Sequence, residues 1–134
     1  MEKKYQKNSR NMEKIAQYLN RIPSIQVVSA CECDPTYLRA GEYVCECYFL
    51  LKVCEESTMV DLMREIQNLF FEQTGIKLMV SKQASLDGQI YWKLGFWVEM
   101  GNWDQIKVAM KRGKEYLAQD LKYFVHSHGR TWNE

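Results

Sequence analysis

Two Cys-Glu-Cys triplets, Cys31-Glu32-Cys33 and Cys45-Glu46-Cys47, flank eleven residues in the stretch "CECDPTYLRAGEYVCEC". Four thiols so placed have three uses. They could ligate a soft or borderline metal, form disulfides, or fill a core as small apolar groups. The chain has five cysteines, an odd number that cannot all pair within one molecule. Its start, "MEKKYQKNSRNMEK", lacks the apolar run of an export signal. Free thiols in a reducing cytoplasm are therefore the expectation.

Zinc needs four sulfurs in a tetrahedron, at roughly 2.3 Å from the ion. If the two triplets pair symmetrically about their loop, Cys33 faces Cys45 and Cys31 faces Cys47. The thiols then form a flat patch on one sheet face, among Ile25, Val27, Phe49, Leu51 and Val53. That surrounding favours core packing, with a zinc site at Cys31, Cys33, Cys45 and Cys47 as the alternative. Glu32 and Glu46 then point outward together. No cofactor is expected.

Other chemistry is sparse. "GNWDQIKVAMKRGK" ends in Gly-Lys but lies in a helical pattern without the glycine spacing of a phosphate loop. No nucleophile elbow or dinucleotide fingerprint occurs. His126 and His128 in "HSHGR" form a single His-containing triplet, where a two-histidine phosphoesterase needs two. They are expected on a fraying C-terminus. No acid stands out as a catalytic base, so the reading leans away from an enzyme.

The elements that must position these residues follow from periodicity. A helix is expected from about Arg10 to Arg21, ended by Pro23, with residues 1–9 expected to fray. "SIQVVSACEC" and "EYVCECYFLLKV" alternate as strands, joined by the turn-rich "DPTYLRAG". Ser57 or Thr58 is expected to cap a helix from about Met59 to Gln73, stopped by Gly75. "IKLMVSKQ" and "QIYWKLGFWVEM" form a second hairpin through Asp87-Gly88. Asn102 caps a last helix from about Trp103 to Val125. The fold class is α+β: one domain over residues 1–134, in the order α-ββα-ββα, with a single antiparallel four-stranded sheet packed by helices.

Charge is segregated. Residues 1–21 carry six bases and two acids, residues 22–101 six bases and eleven acids, and residues 102–134 six bases and four acids. The total of +1 gives no global attraction for nucleic acid or an anionic membrane, and no segment is long and apolar enough to span a bilayer. A nucleic-acid alternative rests on Lys107, Lys111, Arg112 and Lys114 of the last helix, beside Trp103 and Tyr116. Asp104, Glu115 and Asp120 interleave with them.

The second sheet face is the informative one. Val28, Val44, Tyr48, Leu50, Met79, Tyr91 and Trp97 fall on it, too many apolar and aromatic groups for a face left to water. Either the first helix folds over it, or a second copy or another protein does. The element order and size are similar to class I type III secretion chaperones, which implies dimerisation and protein binding without catalysis. The same order resembles half of a LAGLIDADG homing endonuclease, although the first helix closes as "QYLNRIPS" without the acidic end that nuclease activity requires. The functional expectation is a non-catalytic protein-binding module: inhibitor, adaptor, chaperone, or an antagonist of host machinery such as an anti-CRISPR. Tyr48, Tyr91 and Trp97 are its expected anchors, with Glu32 and Glu46 as a charged rim.

Overall fold

The computed structural model describes residues 9–33, 36–39 and 41–132. The element order is α1 (Ser9–Asn20), β1 (Ile25–Glu32), β2 (Thr36–Arg39), β3 (Glu42–Val53), α2 (Glu56–Thr74), β4 (Met79–Ala84), β5 (Ile90–Met100) and α3 (Trp103–Trp132). All strand pairs are antiparallel, in the spatial order β1-β3-β5-β4. The α+β class and the single antiparallel sheet agree with the sequence pattern. The short β2 is additional, since part of the stretch expected as a loop pairs with β3.

Strand alternation builds the core. On β3, Cys45, Cys47, Phe49 and Leu51 are buried, and on β5 Leu94, Phe96 and Val98 are buried. The helices supply Ile15 and Leu19 from α1, Leu62, Ile66 and Phe70 from α2, and Ile106, Met110, Leu117 and Leu121 from α3. α3 is the organising helix, because both α1 and α2 pack on it and it crosses β3 and β5. Among the described residues every helix lies on this one side, and none of these helices covers the opposite face of the sheet.

Helix ends follow from local chemistry. Asn102 Oδ1 accepts bonds from the Asp104 N–H at 2.8 Å and the Gln105 N–H at 3.3 Å, capping α3 as its sequence predicts. α2 starts earlier than expected, at Glu56, after Glu55 in extended backbone with no side-chain cap. Thr58 instead receives a bond from the Ser24 hydroxyl at 3.0 Å, tying α2 to the β1 entry. Gly75, at φ 72°, closes α2, and its N–H donates to the Phe71 carbonyl.

α3 runs past the expected end at Val125 to Trp132. His126 and His128 are therefore helical, not frayed. His128 Nε2 lies 2.8 and 2.9 Å from the Glu65 carboxylate oxygens on α2, and its ring stacks against Trp132. Partners from a neighbouring helix hold this last turn. None of the described helices is long and apolar enough to cross a membrane.

Candidate binding face

One irregularity decides which side chains reach the open face. β1 pairs with β3 in regular register from Ile25↔Val53 to Val27↔Leu51, then shifts, and resumes at Ser29↔Leu50. Val28 is the extra residue of a β-bulge. Because side chains alternate with a period of two, one inserted residue turns everything after it over. Cys31 thus pairs with Tyr48 on the open face, and Glu32 pairs with Cys47 on the helix side.

The symmetrical pairing expected of the triplets does not form. Cys45 and Cys47 are buried beneath the helices, while Cys31 and Cys33 are half-buried on the other side. The Cys47 thiol donates to Met12 Sδ at 3.4 Å, and burial pushes it well above the ordinary thiol range. Cys31 and Cys33 lie with their sulfurs 3.5 Å apart. The sheet therefore separates the four thiols into two pairs, which opposes a four-sulfur tetrahedron. Among the described residues no group of three or more His, Cys, Asp or Glu could hold a metal ion.

The bulge also relocates Glu32. Expected as an exposed rim residue, it is only 7% exposed, and its carboxylate meets Lys114 Nζ at 2.5 Å. Lys114, expected among the cations of a nucleic-acid surface, is 1% exposed. Charged residues seldom enter a core. Here each brings the other inside. Lys111 is exposed, Lys107 is half-buried, and the Arg112 guanidinium donates to the Gln73 carbonyl at 2.8 Å. The basic stripe of α3 thus loses one cation to the core and commits another to α2.

The other predicted residues do reach the open face. Val28 and Trp97 are 45% and 46% exposed, and Val44, Tyr48, Leu50, Met79 and Tyr91 are half-buried. The register places Glu46 beside Trp97, Tyr48 beside Gly95, and Gly95 beside Met79. Lys93 Nζ bonds Glu46 at 2.6 Å and stands 4.3 Å from the centre of the Tyr48 ring. The Tyr48 hydroxyl is raised from its ordinary range by hydrogen bonding to Cys31, with the charges around it adding to the effect. Tyr91 lies four residues from Gly95 along β5, about 13 Å away, and its hydroxyl donates to Gln89 Oε1 at 3.1 Å. The anchors thus spread over the face instead of converging.

Gly95 is the hinge of this arrangement. A Cβ there would stand 2.2 Å from the Cys47 carbonyl oxygen and 2.7 Å from Tyr48 Cβ. Only glycine lets β5 come this close to β3. It leaves a notch of about 110 Å³ bordered by Glu46, Met79, Lys93 and Trp97. Sequence reasoning missed both Gly95 and Lys93, although the alternation that placed Tyr91 and Trp97 on this face places them there too. A larger cavity, about 570 Å³, lies away from the face between α2 and the start of α3, lined by Ile76, Met100, Asp104, Val108 and Arg112. It gathers no acid-base or nucleophile pair with catalytic spacing.

The comparisons with known proteins return no significant match: no protein-family model fits the chain, no curated protein is similar in sequence, and no solved structure is similar in fold.

Proposed function

We propose that this chain is a non-catalytic binding protein whose open sheet face docks a protein partner. One observation carries the reading. Val28, Val44, Tyr48, Leu50, Met79, Tyr91 and Trp97 remain partly exposed on the side away from all three helices. So many apolar and aromatic side chains left partly exposed on one face are more characteristic of a contact site than of a solvated face. Aromatic anchors and a notch beside Trp97 suit a protein side chain, and the Glu46–Lys93 pair supplies a polar border. An inhibitor, adaptor or chaperone works through such a surface. So does an antagonist of host machinery of the anti-CRISPR kind.

The test compares wild-type chain with Trp97→Ala and Tyr48→Ala in affinity capture from a source lysate, followed by binding measurements on the captured protein. Light scattering reads self-association in parallel. Each substitution is expected to weaken the partner at least tenfold while circular dichroism stays unchanged. Equal capture by all three proteins refutes the docking role of this face. A nucleic-acid ligand would show instead as affinity that falls steeply with salt and responds to Lys107 and Lys111.

A further inference from the structure

The bulge in β1 leaves two thiols together on the uncovered side of the sheet. Cys31 and Cys33 are both half-buried, not enclosed, and their sulfurs are in van der Waals contact at 3.5 Å. Cys33 lies just beyond the last residue of β1, where a single bond from its N–H to the Glu46 carbonyl at 2.8 Å continues the pairing. Cys45 is turned away. Its thiol is 1% exposed and donates to the Cys33 carbonyl oxygen at 3.1 Å, from the opposite side of the backbone.

We propose that Cys31 and Cys33 form a reversible dithiol–disulfide couple, a modification site for low-molecular-weight disulfides such as oxidised glutathione. The Cys31 thiolate attacks one sulfur of the oxidant, breaking its S–S bond and releasing one glutathione thiolate. Cys33, after losing its proton, attacks the Cys31 sulfur of the mixed disulfide and releases the second glutathione. Two electrons pass to the oxidant, and the two protons given up by the protein thiols are taken up by the departing thiolates. Burial and the neighbouring Cys31 thiol push Cys33 up to about 11. It is therefore assigned the second, intramolecular step, where closeness offsets a small thiolate fraction.

Geometry permits closure and explains reversibility. The sulfurs must approach by about 1.5 Å to reach the bonded distance near 2.05 Å. Positions i and i+2 of a strand have Cα atoms about 6.7 Å apart, at the upper end of the range that a disulfide bridges. A bond formed there is strained, and strained exposed disulfides are the readily reduced ones. The assignment does not depend on what docks on the face, since it concerns the thiols of the isolated chain.

The experiment equilibrates the reduced full chain with oxidised glutathione, alkylates residual thiols under denaturing conditions and maps the peptides by mass. The peptide containing both Cys31 and Cys33 is expected to be two hydrogens lighter and unalkylated, while Cys45 and Cys47 remain alkylated. Added dithiothreitol should restore both thiols. Cys33→Ser should abolish the lighter peptide and trap glutathione on Cys31. A fully alkylated Cys31–Cys33 peptide, stable glutathione adducts on both residues, or a bond from either one to Cys45 overturns the proposal.

Discussion

Residues 31–33 and 45–47 spell the same three letters on neighbouring strands and face opposite ways. In the first triplet the carboxylate is inside and the thiols face the open side. In the second the thiols are inside and the carboxylate faces out. Glu32 meets Lys114 in the core, and Glu46 meets Lys93 on the surface. The difference comes from one inserted residue, Val28, and not from the composition of either triplet. Side-chain identity in a sheet says little until the phase of the strand is known.

The two ion pairs give the sharpest test of that contrast. Removing one member of a buried pair leaves a charge without compensation and costs roughly 3–5 kcal/mol. Glu32→Ala and Lys114→Ala should each lower unfolding stability by about this amount in denaturant titration. The double variant Glu32→Leu with Lys114→Met should recover most of it. On the open face, Glu46→Ala should cost about 0–1 kcal/mol, as is usual for solvent-accessible pairs. Equal losses from Glu32→Ala and Glu46→Ala would place both carboxylates in similar surroundings and break the comparison.

Asp120, on the covered side, gives the next largest effect. It is 2% exposed, and burial raises its carboxyl from 3.8 to about 6 against a smaller opposing hydrogen bond from Gln73. Because the folded value lies above the unfolded one, the folded protein binds the proton more tightly. Stability therefore falls as pH rises from about 4 through 6 and then levels off. Asp120→Asn should stabilise the protein at pH 8 by on the order of 2 kcal/mol and have little effect at pH 4, read by thermal or chemical unfolding at both values. A pH-independent effect would contradict the titration.

The thiols follow. Cys47→Ser places a hydroxyl among apolar groups beneath the helices, at a cost of about 1–3 kcal/mol. Cys31→Ser, at the half-buried position, should change stability by less than about 0.5 kcal/mol. Alkylation of the native protein should likewise label Cys31 and Cys33 well before Cys45 and Cys47. Comparably small is the stability change from Trp97→Ala, within about 0.5 kcal/mol, even though the same substitution is expected to weaken partner binding. A large loss of stability would mean that Trp97 supports the fold.

The sheet and helices were legible because each carries its own period. The apolar positions Met59, Leu62, Met63, Ile66 and Phe70 define a helix face, and the alternation from Tyr43 to Val53 defines a strand, whatever surrounds them. The open face was legible for the same reason along β3, β4 and β5. What periodicity does not show is pairing that depends on a neighbour: Thr36–Arg39, too short to carry a period of its own, becomes β2 by pairing with the adjacent start of β3. α3 continues to Trp132, with Glu65 on α2 engaging its last turns. Gly95 reads as a weak spot in a strand until the approach of the Tyr48 backbone gives it a role.

Alternation and helical spacing alone determine that this chain forms an α+β unit with one apolar sheet face turned to helices and a second, unusually greasy one. They do so because local periodicity is a property of the backbone and needs no partner. Tertiary structure decides the phase of β1 beyond Val28, and with it which thiols, and which of Glu32 and Glu46, enter the core. A bulge is chosen by the fit between strands and by what lies beneath them. Here that is Lys114, a charge 82 positions away along the chain that is buried together with the carboxylate it meets.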